Sequence, residues 1–142
     1  AQGDGMRLVL DAEAVNALLD SKQSWRKQGM RAGAAARRLK HDVAIATVTL
    51  AEIYRGAGRS HALDALLSRD GDGLLLRDTD RMFARLVGGI LTEAGANSRQ
   101  LADAHAVAKA VETGGGVIVT GDPKDLERLA SPYRSIAIEA LR

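Results

Sequence analysis

The sequence predicts one α/β domain on a central, mainly parallel sheet of four or five strands, and three observations predict it. Short apolar runs alternate along the chain with stretches of helical period, the pattern of strand-helix-strand units. The 142 residues are 46% hydrophobic and 27% charged, enough for one proper core and too apolar for a disordered segment. No repeat, linker or low-complexity stretch divides the chain, so residues 6–142 read as a single domain.

The elements follow in order. Arg7 to Leu10 is a strand ending at Asp11, and Ala12 to Leu19 a helix. In the stretch from Ser21 to His41, Trp25, Ala32, Ala36 and Leu39 fall within a narrow arc at 3.6 residues per turn, which predicts a helix with its bases turned outward. Val43 to Val48 is a second strand. Thr49-Leu50-Ala51-Glu52 then has the S/T-x-x-E spacing of a helix start, with Gly56 and Gly58 ending that helix. Ser60 to Ser68 is a short helix and Gly73 to Leu76 a third strand. Phe83, Leu86, Val87, Ile90 and Leu91 repeat at i, i+3, i+4 spacing and define the clearest amphipathic helix, Thr79 to Ala94. Arg99 to Glu112 is another, stopped by Gly114, Gly115 and Gly116. Val117 to Thr120 is a buried strand, Pro123 opens a helix through Ala130, and Ser135 to Ile138 is an edge strand.

Composition removes several chemistries. With no cysteine there are no disulfides, zinc-thiolate sites or cysteine nucleophiles, and a reducing cytoplasmic compartment is expected. No apolar run approaches the roughly 18 residues of a membrane span. Ala1 to Gly5 read as a non-native leader ahead of Met6 and are left out of the fold argument. Neither a G-x-S-x-G elbow nor a G-x-x-x-x-G-K-[ST] loop occurs, and the triple glycine precedes its strand instead of following it.

Charge is uneven. Lys22, Arg26, Lys27, Arg31, Arg37, Arg38 and Lys40 stand together without an acid, leaving 13 bases against 18 acids on the rest of the chain. Aromatic residues are only 3%, too few for stacking platforms, so any nucleic acid would be held through its phosphates. The basic stretch supports two readings: Arg26, Arg37 and Lys40 tracking RNA phosphates, or a solvated helix face.

In an open parallel sheet, ligands bind beyond the carboxyl ends of the strands. Here those positions are acidic: Asp11 after strand one, Glu52 a turn beyond strand two, Asp122 after the Val117 to Thr120 strand with Asp125 a turn later, and Asp103 in the first turn of a helix. Each has a structural excuse. Asp11 and Asp122 can cap helices, Glu52 can complete a capping box with Thr49, and Asp103 complements a helix dipole. Capping does not explain four carboxylates on the ligand side of one sheet, where they repel unless cations join them. Oxygen-only ligands select magnesium or manganese (Mg²⁺ or Mn²⁺) over zinc, and such a cluster suits metal-assisted phosphodiester hydrolysis. His41, His61 and His105 have no mutual metal-ligand spacing, and His105 points to another helix face from Asp103.

Asp11 after its strand, the run Thr47-Val48-Thr49-Leu50-Ala51-Glu52-Ile53-Tyr54-Arg55-Gly56, Asp103-Ala104 opening a helix, and Val117-Ile118-Val119-Thr120-Gly121-Asp122-Pro123-Lys124-Asp125-Leu126 together resemble a PIN domain, nearest to bacterial VapC-type toxins. The resemblance runs from Met6 through nearly the whole chain, and Thr120-x-Asp122-x-x-Asp125 is its most specific part. It implies a PIN-like three-layer α/β/α fold and a metal-dependent ribonuclease holding Mg²⁺ or Mn²⁺ with Asp11, Glu52, Asp103 and Asp122. It also implies a homodimer inhibited by a cognate VapB-type antitoxin. Glu13 departs from the pattern, standing where many members carry a small polar residue. Thr120 is a candidate to orient Asp122 through its hydroxyl, and Asp125 a candidate outer ligand or a helix cap. The alternatives are a non-catalytic module gripping RNA or protein, and a DNA-directed nuclease or metal phosphatase using the same carboxylates.

Overall fold

The computed structural model describes residues 7–19, 43–69 and 74–141. The basic stretch, with Trp25, Arg26, Arg37 and Lys40, and residues 1–6 lie outside the described residues. In chain order the elements are β1 (Leu8–Leu10), α1 (Ala12–Leu19), β2 (Val43–Ala46), α2 (Thr47–Ile53), α3 (Ala57–Arg69), β3 (Leu74–Arg77), α4 (Arg81–Ala94), a 3-10 turn (Ser98–Gln100), α5 (Leu101–Glu112), β4 (Gly116–Thr120), α6 (Pro123–Ala130) and β5 (Ile136–Ala140). The five strands form one sheet in the order β3-β2-β1-β4-β5, and every pairing is parallel. This is an α/β fold with a fully parallel sheet between helical layers.

Alternation along the strands divides the core between the two faces. Leu8, Leu10, Val43, Ile45 and Val119 pack with α1, α2 and α3 through Val15, Leu50, Ile53, Leu63 and Leu66. Val9 and Ile118 face the other way, toward Phe83, Val87 and Ile90 of α4, Val107 of α5, and Leu126 and Leu129 of α6. Because α5 lies against the sheet between α4 and α6, its residues Ala104 to Ala110 are all buried. Five alanines or valines there let the helix backbone approach closely.

Two local expectations are corrected. Helix α2 begins at Thr47, two residues before the Thr49–Glu52 spacing, and its N-cap Ala46 makes no side-chain capping bond. The ladder stops early because the Thr47 hydroxyl donates to the Arg77 carbonyl at 3.3 Å, occupying an acceptor at the end of β3 and freeing the backbone to turn. Thr49 consequently sits in the helix, buried, and no capping box explains Glu52. Gly56 lies in the turn at φ +107, but Gly58 is inside α3 rather than at a helix end.

The best-marked amphipathic segment forms α4, capped by Asp80, whose side chain accepts from the Phe83 N–H at 2.8 Å. Arg77 ties β3 to this layer. Its guanidinium is bidentate on Glu112, with bonds of 2.8 and 3.1 Å, and lies 4.2 Å from the centre of the Phe83 ring. No helix among the described residues is long and apolar enough to cross a membrane.

Candidate active site

The site is assembled at the carboxyl edge of the sheet. Asp11 extends the β1–β4 ladder by one bond, its N–H donating to the Val119 carbonyl at 3.3 Å. It then caps α1, with Oδ1 accepting from the Ala14 N–H at 2.9 Å. The Thr120 hydroxyl also bonds the Asp11 carboxylate while its oxygen accepts from the Asp122 N–H at 3.0 Å. One buried hydroxyl therefore fixes Asp11 through its single donor and the Asp122 backbone through a lone pair. Asp122 stands at the N-terminus of α6, but its carboxylate makes no capping bond, so the cap reading fails for this residue and holds for Asp11.

The carboxylates act on one another. Burial pushes Asp11 up to about 7, against the Thr120 and Ala14 hydrogen bonds, and the charges of Glu13 and Asp103 add to the rise. Asp103 is pushed up to about 6, first by burial and then by Asp125, Glu52, Glu13 and Asp122. Glu13 is raised by burial and by Asp122. Six acidic residues from α1, α2, α5 and the β4–α6 junction are thus neighbours, and the charges that move Asp103 are all carboxylates.

The donor set is oxygen only, which fits a hard divalent cation. Carboxylates held above their ordinary values by burial and mutual repulsion are those a cation would return to the ionised form. Among the described residues no three acidic or histidine side chains are placed to hold a single ion together. Asp11 is buried, Glu13, Asp103 and Asp125 are half-buried, and Glu52 and Asp122 are exposed.

No protein-family model matches the chain, and no curated protein does. Solved structures do. VapBC2 from Rickettsia felis, bound to a DNA fragment from its promoter, matches with a TM-score of 0.64 at 18% identity, covering 96% of this chain and 100% of the other. DNA-bound VapBC from Salmonella typhimurium matches at 0.62 and 20% identity, covering 96% and 99%. VapBC-5 from Mycobacterium tuberculosis, of the VapBC family of toxin-antitoxin systems, matches at 0.53 and 21% identity, covering 94% and 98%. This chain shares the PIN-like α/β fold of these VapBC structures.

In this PIN fold His105 is a core residue. It is buried, its Nδ1 is 2.8 Å from the Leu101 carbonyl, and its ring meets Phe83 edge-on with centroids 5.7 Å apart. One polar pair of this PIN fold, Asn16 on α1 with Arg59 on α3, left no mark in the sequence, because only folding brings residues 43 apart into a 2.6 Å bond.

Proposed function

We propose that the chain is a metal-dependent endoribonuclease that hydrolyses RNA phosphodiester bonds, the toxin of a toxin–antitoxin pair. The observation that carries the reading is that six carboxylates around the carboxyl edge of the sheet act on one another electrostatically, two of them lifted to about 7 and about 6. Asp11, Glu52, Asp103 and Asp122 would hold Mg²⁺ or Mn²⁺. Such ions, when bound, activate water and stabilise the leaving oxygen of a phosphodiester. The remaining work belongs to the chain. Thr120 and the Ala14 N–H fix the Asp11 carboxylate, and the buried helix α5 keeps Asp103 from moving away. Asp125 and Glu13 supply further negative charge at the rim. The fold shared with VapBC complexes supports a homodimer, inhibited in the cytoplasm by a VapB-type antitoxin.

The test is cleavage of a labelled single-stranded RNA with Mg²⁺ or Mn²⁺, with EDTA, and with Asp103→Ala purified identically. Cleavage should need both the metal and Asp103, with the variant at least a hundredfold slower, roughly the loss of one strong electrostatic contact. Duplex DNA and a phosphomonoester, assayed alongside, should be poor substrates; equal turnover of either sinks the RNA assignment. Calorimetry that finds no Mg²⁺ or Mn²⁺ binding dependent on Asp11 and Asp103 would instead identify a non-cutting module. Expression of the protein alone should arrest bacterial growth, and Asp103→Ala should relieve the arrest.

A further inference from the structure

We propose that Arg59, held by Asn16, is a binding subsite for a backbone phosphate of the RNA strand beside the acidic centre. The inference rests on the ribonuclease reading and deepens it. An acidic centre repels a polyanion, so a nuclease of this kind needs a cation near the carboxylates but not among them, where it would neutralise them.

Helix α1 provides the route. It leaves the acidic edge at Asp11, carries Glu13 in its first turn, and places Asn16 one turn further on the same face as Glu13. Across from it, Arg59 in the first turn of α3 donates an Nη1–H to the Asn16 Oδ1 at 2.6 Å. The partner is a neutral side-chain amide on the helix that leaves the acidic edge. Arg77 is paired with the carboxylates of Glu112 and Asp80, and Arg128 donates to the Ala94 and Gly95 carbonyls at the end of α4. Among the described residues Arg59 meets no carboxylate within ion-pair distance. It is exposed, and a guanidinium has its remaining N–H donors in the planar fork that suits a phosphate. The Asn16 bond fixes the side chain beforehand, which lowers the ordering cost of binding.

Binding of a fluorescein-labelled single-stranded oligoribonucleotide tests this, measured against salt concentration in Mg²⁺ on an Asp103→Asn background that prevents cleavage. Arg59→Gln should weaken binding roughly tenfold, the worth of a charge-assisted hydrogen bond. It should also reduce the slope of log affinity against log salt by about 0.7, one phosphate contact on a single strand. Asn16→Asp should weaken binding too, because it turns the neutral tether into an ion pair, while raising the melting temperature through a stronger α1–α3 link. A purely structural pair would show the second effect without the first. Arg134→Gln, the same charge change in the α6–β5 connection at the opposite edge of the sheet, should leave affinity and slope unchanged. Parent-like binding by Arg59→Gln, including no binding by either protein, overturns the subsite, as does an equal loss in Arg134→Gln. Cleavage of the same RNA by the protein with Asp103 intact separates the two readings. Absent cleavage with a persisting Arg59 effect removes the nuclease and leaves the subsite; metal-dependent cleavage with parent-like Arg59→Gln binding removes the subsite alone.

Discussion

Asp11 shows how one side chain carries two duties that pull against each other. As the cap of α1 it accepts the Ala14 N–H, which favours the ionised form, while burial favours the protonated one and prevails, lifting it to about 7. The consequence for stability has a definite sign. An acid whose folded value is raised binds more protons folded than unfolded, so its stabilising contribution is complete below its ordinary value of 3.8 and is lost as pH rises through about 7. The metal-free protein should therefore melt at a higher temperature at about pH 5 than at about pH 8. Asp11→Asn, which keeps a capping oxygen, should flatten that difference and raise the melting temperature at the higher pH. A wild-type melting temperature that rises between those two values, or an Asp11→Asn profile parallel to it, counts against the assignment. Added Mg²⁺ should stabilise most at the higher pH. The sequence placed Asp11 and Asp122 at strand ends, because apolar runs mark those, and Asp103 in the first turn of a helix, because its period is clear; it gave no sign of the contact between Asn16 and Arg59. The capping-box reading of Glu52 fails, since its helix begins at Thr47.

At the scale of elements, boundaries were readable wherever punctuation and periodicity agreed. Helix α1 and the Pro123-led α6 begin and end where the pattern places them. The β2–α2 junction was not readable, because Val48 and Thr49 are β-branched and extend the strand pattern, while the tertiary bond from Thr47 to Arg77 ends it. The glycine stop after α5 has internal structure that the run of three letters conceals. Gly114 has φ +84 and open space at its missing Cβ, whereas at Gly115, φ +132, a Cβ would lie 2.6 Å from the Ser135 carbonyl oxygen. Both substitutions strain the backbone, but only the second collides with the neighbouring chain. Gly114→Ala should cost about 1 kcal/mol, and Gly115→Ala about 3 kcal/mol or more. Chemical denaturation of the two variants compares them, and equal midpoints would mean that the Ser135 segment moves aside without cost.

For the whole molecule, the sequence implied a parallel sheet through its alternation of strands and helices, and with it the carboxyl edge where the acidic residues stand. It could not give the order of the strands, since each buried run suits several neighbours. The observed order sets two cores back to back on one sheet. Ile53→Val in one core and Ile90→Val in the other should each cost about 1 kcal/mol. The double variant should show their sum to within about 0.5 kcal/mol, in a single transition seen alike by far-ultraviolet circular dichroism and by tyrosine fluorescence. Two separated transitions would show that the faces fold independently. The order also reverses direction at β1: β2 and β3 lie to one side, β4 and β5 to the other. Asp11, Glu13 and Glu52 come from the part of the chain before that reversal, Asp103, Asp122 and Asp125 from the part after it. Neither part holds a full set, so a chain cut between α3 and α4 should yield two inert fragments. On the proposed toxin reading, cleavage recovered in their mixture would then report reassembly, and a half-folded copy of this protein should be harmless to the cell that makes it.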